Sequence, residues 1–330
     1  MKRSFLILLM IALAACRPAL APRPPALGVA VDGEPVAAAS LDQFTTDTGI
    51  PPRLVVFFLA WPQFDAPFYF PRASLDTISA AGAIPVLTWE PWVFSGTNPT
   101  VIPAARILDG HYDAYITSFA KAAHDFGQPL WIRFGHEMNT ERYHWGVAAD
   151  AYGPEAPFLY RDLFRHVVDI FRAQGAANVR WVFCPNAESV PSPDHPPVAA
   201  WNRASRYYPG DDYVDVLGMD GYNWGSTVDD PAVSWRSRWQ SFDEIFTPLH
   251  AELQQLAPTK PIVVFETASA TEGGDKEAWI TAAFHTASIW RLVAVCWFEA
   301  NKETDWRFAH GLAPTVSRDL LKDKVSPRLP

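Results

Sequence analysis

Cysteine is scarce in this chain, three in 330 residues, and none stands in the His/Cys cluster that a zinc site would need. Basic charge is scarce as well: 27 Lys+Arg face 36 Asp+Glu, a net charge of −9 with no basic run. Such a chain is a poor candidate for gripping a phosphate backbone, which excludes nucleic acid as the expected partner. The Gly-rich phosphate loop, the G-x-S-x-G elbow and the H-E-x-x-H helix are all missing; His136-Glu137 is followed by Met-Asn-Thr-Glu. No metal or organic cofactor is expected. What is abundant is apolar: 49% hydrophobic against 19% charged residues, enough to bury a large core. Fourteen Trp also suit a surface that stacks on flat sugar faces, and 30 Pro point to many connections rather than long helices.

The first residues read as a targeting segment. Lys2 and Arg3 form a positive n-region, Phe5 to Leu13 an apolar h-region, and Leu13-Ala14-Ala15-Cys16 a small-residue cleavage site. The apolar run is shorter than the ~20 residues a membrane-spanning helix needs, and no other run reaches 18. Leu-Ala-Ala-Cys resembles a bacterial lipobox, which implies cleavage before Cys16 and acylation of its thiol; an ordinary secretory signal is the alternative. The expected organisation is a signal over 1–15, a Pro-rich tether over 16–26 and one domain over 27–330. That describes a monomer exported to the bacterial cell envelope, touching the membrane only through the lipid at Cys16. Cys184 and Cys296 sit inside apolar runs and read as buried free thiols.

Beyond the tether, short apolar runs alternate with helical patterns. Leu27–Val31, Leu54–Leu59, Ile84–Thr88, Leu130–Phe134, Val179–Phe183, Val214–Met219, Pro261–Phe265 and Leu292–Phe298 are eight strand candidates. Near-continuous apolar strands alternating with helices argue for a parallel sheet covered on its outside; closed, that is a single-domain α/β TIM barrel, (β/α)8. An open doubly wound sheet is the alternative. The segment 186–209 is rich in Pro and shows no clean helix.

In such a barrel the chemistry lies where strands end. Those positions read Trp61-Pro62, Trp89-Glu90-Pro91-Trp92, Gly135-His136-Glu137-Met138-Asn139, Pro185-Asn186, Asp220-Gly221-Tyr222-Asn223-Trp224, Glu266-Thr267 and Trp297-Phe298-Glu299. Glu137 and Glu266 end strongly apolar strands four and seven, which lie nearly opposite each other. A glycosidase that retains anomeric configuration needs this arrangement: two carboxyls about 5 Å apart, one attacking the anomeric carbon and one protonating the leaving oxygen. Arg133 would favour charge on the nucleophile or serve as a structural partner. A non-catalytic glycan-binding protein would keep the Trp rim without needing both glutamates.

WIRFGHEMN, VDVLGMDGYNWG, VVFETAS and CWFEANKETDWR resemble glycoside hydrolase family 26, a family of retaining (β/α)8 enzymes that includes β-mannanases, mixed-linkage β-glucanases and β-1,3-xylanases. The resemblance covers roughly residues 27–325. It implies that Glu137 is the acid/base and Glu266 the nucleophile, that Tyr222 hydrogen-bonds the nucleophile, that His136 contacts the bound sugar and that Trp297 is the floor beneath it. Asn186, Trp92, Trp145, Arg133 and Glu90 complete the expected substrate-binding set. The implied activity is endo-acting hydrolysis of a β-linked polysaccharide, β-1,4-mannan first, with mixed-linkage glucan, β-1,3-xylan, or an exopolysaccharide hydrolysed or transglycosylated, as the alternatives. The chain departs from the family at Arg142, where a Trp is common, while Trp145 is kept. Arg142 either points outward to pair with Glu141 or a loop carboxylate, or faces the cleft.

Overall fold

The computed structural model describes residues 21–64, 66–230 and 235–329; the expected signal and Cys16 lie outside them. Eight strands form the frame: β1 (Ala26–Val31), β2 (Leu54–Ala60), β3 (Ile84–Glu90), β4 (Leu130–Phe134), β5 (Val179–Phe183), β6 (Val216–Asp220), β7 (Ile262–Thr267) and β8 (Ala294–Glu299). Each pairs in parallel with the next, and β1 pairs with both β2 and β8, so the sheet closes on itself. This is the expected (β/α)8 barrel. Closure removes the edges that an open sheet of such apolar strands would leave unpaired.

The strands are apolar on both faces because both are buried, one in the barrel and one under the helices. The helix Ala156–Ala173 shows how the outer layer adheres: Tyr160, Leu163, Phe164, Val167, Val168 and Phe171 form one buried stripe at helical spacing. Inside the barrel, space is matched residue by residue. A Cβ on Gly28 would fall 2.4 Å from Cys296 Sγ, and one on Gly218 would fall 2.5 Å from Cys184 Sγ. Each glycine thus makes room for a thiol on a neighbouring strand, and both cysteines are buried and free.

One connection has more structure than its sequence signals. Trp92–Ser95 and Asn98–Val101 form a small antiparallel hairpin after β3, followed by a short helix, Ala104–Leu108. Between β5 and β6 the chain makes only 3-10 turns, as its prolines suggest. Residues 23–25, within the expected tether, lie against the barrel: Arg23 N donates to Ser288 O at 2.9 Å, and Pro25 O accepts from Ser326 N at 2.8 Å.

Candidate active site

Glu266 owes its direction to an irregularity in β7. The register against β6 runs Met219 to Val264 and then Asp220 to Glu266; against β8 it runs Val295 to Val264 and then Trp297 to Thr267. Phe265 is therefore a bulge residue, and a bulge breaks the usual alternation of faces. Both Phe265 and Glu266 turn toward Arg133: the ring centroid of Phe265 is 6.0 Å from the guanidinium carbon, and Glu266 Oε1 accepts from Nη2. Glu266 Oε2 accepts from Tyr222 Oη at 2.6 Å, so each carboxyl oxygen of Glu266 has a fixed donor.

Arg133, on β4, is fully buried and shared among three strands. Its Nε and Nη2 donate to Thr88 Oγ1 at 2.9 and 2.7 Å, and its Nη1 to Asp220 Oδ2 at 2.5 Å. Burial alone would pull the guanidinium down, but Asp220 and then Glu266 more than offset this and hold it well above its ordinary range. The other Asp220 oxygen accepts the Cys184 thiol at 3.2 Å. One buried cation thus serves two carboxyl groups, and removing it leaves both buried without their donor. Arg133→Ala is expected to cost about 3–5 kcal/mol of stability, measurable by urea unfolding. A loss below ~1 kcal/mol would mean that water or another group already balances the two acids.

Glu137 stands in the loop after β4, with its backbone in the left-handed region at φ 50°, two residues after Gly135 at φ 54°. For a non-glycine residue this costs about 1–3 kcal/mol. Its own backbone bonds offset the cost: Glu137 N donates to Cys184 O at 2.8 Å, and Glu137 O accepts from Thr140 N and Oγ1 at 3.0 and 2.9 Å. Glu137 Oε1 accepts from Asn186 Nδ2 at 2.8 Å. Asn186 is fixed in turn by Asn139, whose Oδ1 accepts from Asn186 N at 2.9 Å. Burial, then the charge of Glu266, push the Glu137 carboxyl up to about 7. Glu90, at the end of β3, is pushed up to about 8, again by burial first. Asp220, on the same guanidinium as Glu266, is likewise pushed well above its ordinary range by burial first, so Glu137, Glu90 and Asp220 are all raised acids around Arg133.

The remaining expected residues divide sharply. His136 is buried between Phe58 and Tyr143, its ring 4.5 Å from that of Tyr143; burial, then Arg133, keep it neutral, with Nδ1 4.0 Å from Glu90 Oε1. Trp145 donates Nε1–H to His136 O at 2.6 Å and stacks on Tyr143, and Trp92 packs on both rings. Trp92 and Trp145 are thus buried supports of the β4 loop. Trp297 requires a correction. It is 0% exposed, on the outer face of β8, with Nε1–H donated to Trp306 O at 2.8 Å and its ring against Phe308 and Trp279. It cannot be the floor under a sugar. Its neighbour Phe298 points to the mouth instead, edge-on to Phe58 and Tyr222.

Arg142 lies on an exposed turn, its guanidinium carbon 5.2 Å from the Tyr143 ring centroid. Its charge acts on Tyr143, Glu137, Glu303 and Glu90, so it faces the mouth. Thr88, Asp220 and Tyr143 belong to the site without having been singled out for it. Asp220 carried the usable signal, a carboxylate ending the apolar run VLGMD.

Comparison with known proteins places this geometry. The sequence pattern of glycosyl hydrolase family 26 matches residues 104–237. Endoglucanase H of Acetivibrio thermocellus is 39% identical over 254 residues, 76% of this chain and 25% of that protein. A mannan endo-1,4-beta-mannosidase of Bacillus subtilis is 30% identical over 98 residues, 29% of this chain and 24% of that protein. The chain therefore spans about a quarter of the length of these relatives. A solved mannanase structure from B. subtilis superposes with a TM-score of 0.63 over 93% of this chain and 87% of its own, at 18% identity, a likeness of fold. With the family's pattern spanning the loop that holds Glu137, and with the barrel it requires, the chain belongs to glycosyl hydrolase family 26.

Proposed function

We propose that the protein is a retaining, endo-acting β-glycoside hydrolase. The observation that carries this reading is the unequal setting of two glutamates at one barrel mouth: Glu266 held by Arg133 and Tyr222, Glu137 held by a single amide and pushed up to about 7. Ionised Glu266 attacks the anomeric carbon while Glu137 passes its proton to the leaving oxygen. The glycosyl ester removes the charge of Glu266, so the pKa of Glu137 falls and it ionises in time to serve as base for the attacking water.

For the sugar, the 39% identity to a protein named as an endoglucanase, over three quarters of this chain, supports a β-linked glucan, and mixed-linkage β-glucan is the form we propose. β-1,4-Mannan is the second reading, supported by the shorter mannosidase match. The test is hydrolysis of mixed-linkage β-glucan, β-1,4-mannan and β-1,3-xylan, with the anomer of the first product followed by NMR. Release of the β-anomer from mixed-linkage glucan supports the proposal, and release of the α-anomer would exclude double displacement.

The raised Glu137 carboxyl fixes the sign of the pH dependence. The acid must be protonated, so the rate is present below the shifted value and is lost as pH rises through about 7, tenfold per pH unit. Glu137→Gln, assayed on an aryl glycoside with a good leaving group while the first step limits, should lose that limb. Persistence of the limb would assign it to another group, Glu90 first. We also propose export and lipid anchoring through Cys16. Cys16→Ser should then move the protein out of the membrane fraction, and an unchanged distribution would refute the anchor.

A further inference from the structure

A line of aromatic rings leaves the nucleophile and ends in solvent. Tyr222, bonded to Glu266, lies 5.1 Å from Trp306; Trp306 lies 4.9 Å from Trp224, and Trp224 lies 5.4 Å from Trp235, between ring centroids. Exposure rises along the line, from Trp306 at 1% through half-buried Trp224 to Trp235 at 46%. The hydrolytic mechanism uses Tyr222 and leaves the outer rings without a task. Leaving so large an apolar surface as an indole in water forgoes its burial, so an exposed ring continuous with a reaction centre invites a ligand.

The frame beneath these rings is preformed. Asn223 Oδ1 accepts from Gly225 N at 3.2 Å and Gln240 N at 2.9 Å, and Asn223 Nδ2 donates to Ser269 Oγ at 2.9 Å. Ser226 N donates to Glu272 O at 3.0 Å, so the loop after β6 lies against that after β7; a Cβ on Gly225 would overlap the Glu272 carbonyl. The segment bearing Trp235 is closed at its base, Ser237 N donating to Val228 O at 3.0 Å and Val228 N to Ser237 Oγ at 2.8 Å. Trp224 and Trp235 stand 82° apart in an edge-to-face pair, and Trp235 keeps 46% of its surface exposed.

We propose that Trp224 and Trp235 form an outer sugar-stacking subsite that holds a pyranose of the polysaccharide away from the bond being cleaved. This rests on the function proposed above, and the occupant is identified by its chemistry. A β-linked pyranose presents a flat face of C–H bonds to an indole, and its neighbours in the same chain reach the catalytic pair. The expected consequence is a preference for long chains over short ones.

The test uses Trp235→Ala and Trp235→Phe in the full chain. Mixed-linkage β-glucan and β-1,4-mannan serve as long substrates and an activated aryl disaccharide as the short one. For Trp235→Ala, kcat/KM on the polysaccharide should fall about tenfold, with the aryl disaccharide unaffected and Trp235→Phe recovering most of the loss. Titration of tetra- to hexasaccharides into a Glu266→Ala background should show weaker binding only for chains long enough to reach Trp235. Equal kinetics on long substrates for wild type and Trp235→Ala, or an equal fall on long and short, would overturn the subsite. Failure of the wild-type chain to cleave any β-linked polysaccharide would instead refute the functional reading. The titration would then decide the subsite alone, length-dependent weakening supporting it and unchanged binding overturning it.

Discussion

Glu266→Ala is expected to lower turnover of every substrate by about 10⁴-fold or more, because in the proposed mechanism it removes the group that forms the covalent intermediate. The neighbouring acids are held in other places. The oxygens of Glu266 are the ones held by Arg133 and Tyr222; Asp220 is buried on the far side of the same guanidinium, bonded to Cys184, and Glu137 faces Asn186. The barrel should survive the change, since Arg133 keeps Asp220 and Thr88 as partners. The shortened side chain leaves space beside two donors suited to an anion. Added azide should enter it, attack an activated β-glycoside from the vacated face and release the α-glycosyl azide. Substantial unaided activity, or an azide product of the β-configuration, would place the nucleophile elsewhere. The variant should also report on its partner: without the charge of Glu266, one cause of the raised Glu137 carboxyl is gone. The Glu137 carboxyl of the variant should therefore titrate at lower pH than that of the parent, as followed by NMR.

Much of this site is legible before folding is considered, for one physical reason. WIRFGHE and VVFE each set a carboxylate at the end of a run too apolar to be anything but a buried strand, and in a closed parallel barrel such ends converge. VLGMD carries the same signature, yet a two-carboxylate mechanism has no third acid, so the need of Arg133 for a second counter-ion shows only in three dimensions. Trp297 fails for a different reason. In LVAVCWF both faces of the strand are buried, so hydrophobicity no longer says which residues face the axis, and a shift of one position exchanges the inward residue for the outward one. The bulge at Phe265 is equally silent in sequence, although it sets the direction of Glu266. The hairpin after β3 escapes a reading of apolar periodicity because its strands are four residues each and carry little of it.

Glu137→Ala should divide substrates by their leaving groups. Polysaccharide hydrolysis, where the departing sugar hydroxyl needs a proton, should fall by ~10²–10⁴. An aryl glycoside with a good leaving group should form the glycosyl-enzyme at nearly the parental rate and then stall, because the base for the second step is missing too; a burst equal to the enzyme concentration is the expected trace. Azide now has a different opening. The sugar is already esterified to Glu266, so the anion attacks from the Glu137 side and the product is the β-glycosyl azide, opposite to that from Glu266→Ala. Unfolding cannot account for this pattern. A carboxyl pushed up to about 7 from the ordinary 4.5 makes the folded state bind more protons between those values, so its contribution to stability declines as pH rises from 4.5 to 7 and is flat above. Removing Glu137 removes that decline, and the variant should be the more stable protein at pH 8, by about 1–3 kcal/mol at most. If activated and natural substrates slowed equally, or if both alanine variants gave the same anomer of the azide, the acid and the nucleophile would have to be reassigned. The bonds of Arg133 and Tyr222 to Glu266 would then describe a structural ion pair.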